Sequence, residues 1–303
     1  MRPLSVGVQL PEVEREVRWP EMRSLSVLAE SVGFDSIWVG DHLLYRPEDG
    51  EPRGPWEAWS MLAAIASVTE RVTIGPLVAA TAFHSPAMLA KKAVTVDEIS
   101  GGRLILGLGA GWNRAEFDAF GYPFDHRASR FEEAFHIIRR LIRGETVDND
   151  GEFYRNDRAQ ILPVGPRRAG PPILIGSQGP RVLRATAPFM DQWNGWYAWY
   201  GNNPAGLPAL LGLLEQACEE VGRDHAEIAK TVAVLATLPG GQGRIHGDAR
   251  HEGKDPLAGS PDEIADVLGR YSELGISHVQ MVLDPITAES IEWFADVLVE
   301  LDN

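Results

Sequence analysis

The chain has 303 residues, 44% of them apolar and 23% charged, with a formal net charge of −15. That length buries a substantial core, as one large α/β unit or two ordinary ones, and the composition excludes disorder as the main state. The acidic balance argues against partnership with nucleic acid or anionic lipid, and no apolar run reaches the roughly 20 residues of a membrane helix.

Met1-Arg2 runs straight into the strand-like LSVGVQL, with no signal-peptide core, so a cytoplasmic protein is expected. Residues 6–10 form the first apolar, β-branched strand. A helical pattern over 17–31 ends at Gly33, as a C-terminal glycine should. A second buried strand, 36–39, stops at Gly40-Asp41-His42, and 43–55 is a proline-, glycine- and charge-rich loop. Helix 59–68 and strand 71–78 follow. Pro86 at the favoured first helical position, with Ser85 as N-cap, opens a helix to about residue 99. The fourth strand, 104–108, runs into Gly109 and Gly111, and one helical run starts near Arg114 and lasts to Arg143.

The stretch GETVDNDGEFYRN carries an Asn-Asp-Gly turn between alternating residues, the mark of a small hairpin insertion. A proline-rich loop, 162–172, leads to strands 173–175 and 192–196. Helix 204–221 holds Cys218, the only cysteine, read as a buried structural thiol; a disulfide framework and a cysteine metal cluster are excluded. Strand 231–237 is followed by a mobile loop over 239–256. Ser260-Pro261-Asp262-Glu263 starts a helix that ends at Gly275, and strand 278–283 and helix 288–301 close the chain. Eight near-continuously apolar strands alternating with helices predict a parallel sheet covered on both faces. Eight units in this length favour a closed (β/α)₈ TIM barrel with loop insertions, here one domain over residues 1–303.

In such a barrel, chemistry sits at the C-terminal ends of the strands. His42 ends the second strand and can exchange a proton near neutrality; the bland reading is a loop histidine satisfied by Asp41 or backbone. His84 reads as a loop or helix-start residue. The glycines after the fourth strand, with Asn113, and Gly176-Ser177-Gln178-Gly179 after the fifth form two candidate anion cradles. Trp56, Trp112 and Trp196, with Trp59, Trp193 and Trp199, are candidates for an aromatic substrate pocket or for core. Glu132-Glu133 reads as a solvated face. No cluster has metal-ligand spacing and no Gly-x-Ser-x-Gly elbow is present, so neither a metal site nor a hydrolase is expected.

The block SGGRLILGLGAGWNRAEFDAFGYPF, with VGVQLP, GFDSIWVGDHL, TERVTIGPLV, PPILIGSQGP and AGSPDEIADVL in order, closely resembles the luciferase-like flavin and deazaflavin oxidoreductases over nearly the whole chain. The resemblance implies a (β/α)₈ barrel binding coenzyme F420, or FMN as the alternative. It places a non-prolyl cis peptide at Leu77–Val78 behind the cofactor ring. The phosphate falls between the fourth-strand glycines, Gly107 and Gly109, and Ser177-Gln178-Gly179, and His42 lies beside the ring as the proton-handling residue. Where the sugar-phosphate dehydrogenase branch has a catalytic glutamate this chain has Trp112, and that branch also has an aromatic near Arg46, so that specific activity is not implied. The expected function is hydride transfer between F420 and an organic small-molecule substrate. An FMN monooxygenase and a non-catalytic flavin-binding barrel are the alternatives. Arginine-rich, lysine-poor composition points to a bacterial source, and a homodimer is the expected assembly.

Overall fold

The computed structural model describes residues 2–46, 51–241, 245–246, 249–250 and 255–303. In order, β1 (Ser5–Gln9), α1 (Trp19–Val32), β2 (Ser36–Val39), α2 (Ala58–Ala66), β3 (Thr73–Pro76), β4 (Ala79–Ala80) and α3 (Pro86–Ile99) make the first half. β5 (Leu106–Gly109), α4 (Arg114–Phe120), α5 (Arg127–Ile142), β6 (Val147–Asp150), β7 (Arg155–Ala159), β8 (Ile173–Gly176) and α6 (Pro180–Thr186) follow. β9 (Gln192–Gly195), α7 (Leu207–Val221), β10 (Ala229–Thr237), the short pair β11 (Ile245–His246) and β12 (Ala249–Arg250), α8 (Pro261–Glu273), β13 (Ile276–Asp284) and α9 (Ala288–Asp302) complete it.

The main sheet is ordered β3-β2-β1-β13-β10-β9-β8-β5-β4, with parallel pairing throughout. β3 and β4 are two halves of one strand, separated by a cis peptide at Leu77–Val78. The first half bridges Ile74 to Leu104 and the second pairs Ala79 and Ala80 with Leu108 and Gly109. Both contacts reach the β5 segment, so the barrel closes with eight strands, as the alternating pattern predicts. The strands are buried on both faces, which is why their sequences are continuous apolar runs.

The principal core fills the layer between strands and helices. A smaller cluster inside the barrel, Trp38, Ile105 and Leu174, supports Leu77 and Val78 from below. Deeper still the interior is polar. His278 Nε2 lies 2.7 Å from Ser36 Oγ, which also accepts from Trp38 Nε1 at 2.7 Å. Burial lowers the His278 pKa to about 4, so its ring is neutral.

Several local expectations need correction. The helical run after Asn113 is two helices, because Gly121 ends α4 in the left-handed conformation (φ 76°) and Pro123 follows before α5. Ser85 occupies the N-cap of α3 but makes no side-chain cap bond. Glu133 is not a solvated charge: it accepts from Phe153 N–H and Tyr154 N–H at 3.0 and 2.9 Å and pins the β6–β7 hairpin. For Trp193 the core alternative holds rather than the pocket: it is wholly buried, and its Nε1 donates to the Ser177 carbonyl at 2.8 Å. Half of the loop expected over 239–256 lies outside the described residues.

Candidate active site

A cavity of about 450 Å³ opens at the C-terminal ends of the strands, within the size range of small-molecule sites. It brings together His42, Leu77, Val78, Gly109, Trp112, Gly176, Ser177, Gln178, Gly179 and Trp196 among the residues singled out in the sequence. Gln9, Glu12, Asp41, Ala110, Gly111, Glu116, Asn194 and Trp199 line it as well. Three expected site residues do not line it. Gly107 packs inside the barrel wall, where a Cβ would run into the Pro76 carbonyl. Asn113 caps α4, accepting from Ala115 N–H at 3.2 Å while its Nδ2 donates to the Leu44 carbonyl at 3.1 Å. Trp56 donates to the Val17 carbonyl at 2.7 Å and faces a neighbouring hollow.

The glycines around Val78 explain themselves by packing. A Cβ at Gly109 would stand 2.7 Å from Val78 Cγ2, and one at Gly176 would stand 3.0 Å from both Val78 methyls. With Gly107 they make room for the Val78 side chain, which forms part of the cavity's apolar wall with Leu77, Ala110 and Trp196. Gly179 differs: a Cβ there would meet only Ser177 Oγ at 3.5 Å, so its space belongs to the cavity.

The polar end is built from acids that the sequence reading did not single out. His42 Nδ1 sits 3.0–3.1 Å from the two carboxylate oxygens of Glu116 on α4. The same carboxylate accepts from the backbone N–H of Leu43 at 2.6 Å and Leu44 at 3.3 Å, fixing the loop that carries His42. On the other side, His42 Nε2 is 3.8 Å from Glu12 Oε1. Burial opposes charge on the ring, but Glu12 and Glu116, with a smaller contribution from Asp41, outweigh it and raise the His42 pKa above its ordinary value.

Asp41 does not hold His42. Its Oδ2 accepts from Ala80 N–H at 2.9 Å and lies 2.9 Å from His84 Nε2. It therefore ties the end of β2 to the segment just after Val78. Nothing local in the sequence marks Glu12 or Glu116, because each meets His42 only once the barrel has closed.

The chain matches the luciferase-like monooxygenase family over residues 4–238. It is 35% identical over 176 residues to the 5,10-methylenetetrahydromethanopterin reductase of Archaeoglobus fulgidus, covering 58% of this chain and 49% of that protein. It is 31% identical over 235 residues to the F420-dependent glucose-6-phosphate dehydrogenase of Nakamurella multipartita, covering 76% of this chain and 67% of that one. The match thus spans about half of the first relative and two thirds of the second. An F420-dependent secondary alcohol dehydrogenase, solved with an F420-acetone adduct, shares the fold with a TM-score of 0.83 at 19% identity, over the whole of both chains. The tetrahydromethanopterin reductase of Methanopyrus kandleri does so at 0.76 and 20% identity, over 98% of this chain and 97% of that one. The closed barrel and the family match over residues 4–238 agree: this chain is a member of the luciferase-like monooxygenase family.

Proposed function

We propose that the protein is an oxidoreductase that transfers hydride between a deazaflavin of the F420 class and a small organic substrate. The observation that carries this reading is His42, held between Glu116 and Glu12 beside the apolar wall of Leu77 and Val78. Relatives named as F420-dependent enzymes support the choice of cofactor.

The residues present fit such a group. Leu77, Val78, Ala110 and Trp196 offer apolar surface for a flat ring. Gln9 lines the cavity, and its Oε1 is a buried acceptor without a partner among the described residues, suited to a ring N–H. At the opposite side, Ser177 Oγ accepts from Gly179 N–H at 3.1 Å, which leaves its own O–H to donate to a phosphate. Gly179 has the open space that a phosphate needs for close approach.

When bound, a deazaflavin supplies a carbon centre that accepts or gives hydride, with little one-electron or oxygen chemistry. The protein's own part is to place the substrate, exclude water and manage one proton. With Nδ1 turned to Glu116, a proton exchanged with a substrate oxygen passes through His42 Nε2. Glu116 fixes the ring's orientation and stabilises its protonated form. Soluble cytoplasmic operation as a homodimer is part of this reading; among the described residues no helix is long and apolar enough to cross a membrane.

Anaerobic fluorescence titration with F420 and with FMN tests the proposal, followed by stopped-flow reduction of F420 with a panel of alcohols. F420 binding and substrate-dependent bleaching are expected. Binding of FMN with none of F420 would reverse the assignment toward a monooxygenase.

A further inference from the structure

A second hollow of about 270 Å³ lies beside the first. It opens between the segment after β1 and residues 52–56, where Pro52, Gly54 and Trp56 are exposed at its rim. The two hollows have one lining residue in common, Glu12. Its side chain is only 3% exposed, so it stands as a partition between them.

We propose that Glu12 relays protons between His42 and this side hollow. The proposal rests on the hydride-transfer reading above. When cofactor and substrate fill the main cavity, its mouth is blocked and His42 loses direct access to water. The side hollow then supplies a separate path to solvent.

The geometry suits that task. Glu12 Oε1 accepts from Tyr45 O–H at 2.6 Å and lies 3.8 Å from His42 Nε2, and Oε2 accepts from Gln9 Nε2 at 2.7 Å. Closing the gap to His42 by about 1 Å brings the pair to hydrogen-bond distance. Gly40 permits the arrangement, since a Cβ there would run into the Glu12 carboxylate. Among the described residues the ion-pair partner of Glu12 is His42; Arg15 and Arg53 line the side hollow, but Arg15 pairs with Glu21 and Arg53 donates to the Glu14 carbonyl at 3.4 Å. A carboxylate held dry without a lysine or arginine is costly if its role is only to anchor Tyr45 and Gln9, which a neutral amide could also engage.

In the oxidative direction, the substrate C–H departs as hydride to the oxidised deazaflavin and a C=O forms. The substrate O–H gives its proton to His42 Nε2. The Nε2–H then turns from the substrate oxygen to Glu12 Oε1 and passes the proton to it, and the carboxylic acid releases it to water in the side hollow. In the reductive direction the same proton runs backward.

Two variants test the relay, Glu12→Gln and Glu12→Ala. The first measurement needs no cofactor: an NMR titration of the His42 ring, whose midpoint is expected to fall in Glu12→Gln, and an unchanged midpoint would overturn the link. The second uses F420. In Glu12→Gln steady-state turnover should drop about tenfold or more, and by a larger factor than the first hydride transfer, which slows only as far as the weaker His42 base dictates. In Glu12→Ala, added formate or imidazole should restore turnover in proportion to concentration, with no effect on the wild type. Wild-type turnover in Glu12→Gln, or a Glu12→Ala loss that small acids do not relieve, would overturn the relay. A wild-type protein that neither binds nor reduces F420 sinks the functional reading instead, and the ring titration still reports on Glu12 and His42.

Discussion

His42 Nδ1 lies 3.0 Å from Oε2 of Glu116, a carboxylate 74 residues further along the chain. The pairing orients the ring and, with Glu12, raises its pKa against the opposing effect of burial. Glu116→Gln should therefore lower the His42 midpoint in an NMR titration. A folded pKa above the unfolded value of about 6.5 gives a stabilisation that is complete below that value and fades as pH rises through the folded one. The difference in Tm between wild type and Glu116→Gln should accordingly be larger near pH 6 than near pH 8, which scanning calorimetry at both values checks.

His42→Ala should lower the rate of F420 reduction by about 10²–10⁴-fold, the usual worth of a placed proton-transfer group. Cofactor affinity should stay within about tenfold, because Ser177 and the apolar wall are untouched. Single-turnover kinetics with fluorescence titration separates these effects. A folded, cofactor-loaded variant that reduces at the wild-type rate would remove His42 from the chemistry.

The glycines make opposed forecasts. Gly109→Ala puts a methyl 2.7 Å from Val78 Cγ2 and should destabilise the fold by about 1–3 kcal/mol. Val78→Ala in the same chain should return part of that loss, since the crowding is against a side chain. Gly107→Ala meets the Pro76 backbone carbonyl and should not be relieved by Val78→Ala. Gly179→Ala, at φ −74° with open space, should leave Tm nearly unchanged and weaken cofactor binding. Thermal melts of the single and double variants, with a cofactor titration of Gly179→Ala, decide the four cases.

His278 sets an acid limit. Its ring is buried and its pKa is lowered to about 4 by burial. Unfolding releases a ring of ordinary pKa, about 6.5, so stability is lost as pH falls from that value toward 4. The full loss from this one group is of the order of 3 kcal/mol. Urea titrations between pH 7 and about pH 4 should show a falling midpoint, with less fall in His278→Asn, whose side chain does not titrate.

The strands were legible because a parallel barrel buries both faces, so segments such as SIWV and ISHVQMVLD read as continuous apolar runs. The break between α4 and α5 was written in Gly121 and Pro123 but masked by amphipathic sequence on both sides. His42 and the 176–179 segment, placed by their positions at strand ends, line the candidate cavity, while Asn113, placed beside the fourth-strand glycines, and Trp56, placed by residue type, are held outside its lining by helix capping and a backbone carbonyl. Glu12 and Glu116 could not be singled out, because a carboxylate's meaning depends on which histidine the closed barrel sets beside it. The glycine pattern suggests ligand approach, yet at Gly109 and Gly176 its immediate cause is the bulk of Val78, and at Gly107 it is the Pro76 carbonyl.

Asp41 and His42 are neighbours that reach in different directions, one to Ala80 and His84, the other to Glu116. A dipeptide at the end of β2 thus buckles together the loops that follow β4 and β5. Those loops are not independent modules. Transplanting either one from a relative without its matching half of the buckle would strand a buried carboxylate or histidine. The stretch carrying Trp56 hangs instead from the paired backbones of Tyr45 and Arg53. Diversity introduced there leaves the buckle closed, so residues 52–56, which border the side hollow, can vary without disturbing the contacts of Asp41 and His42.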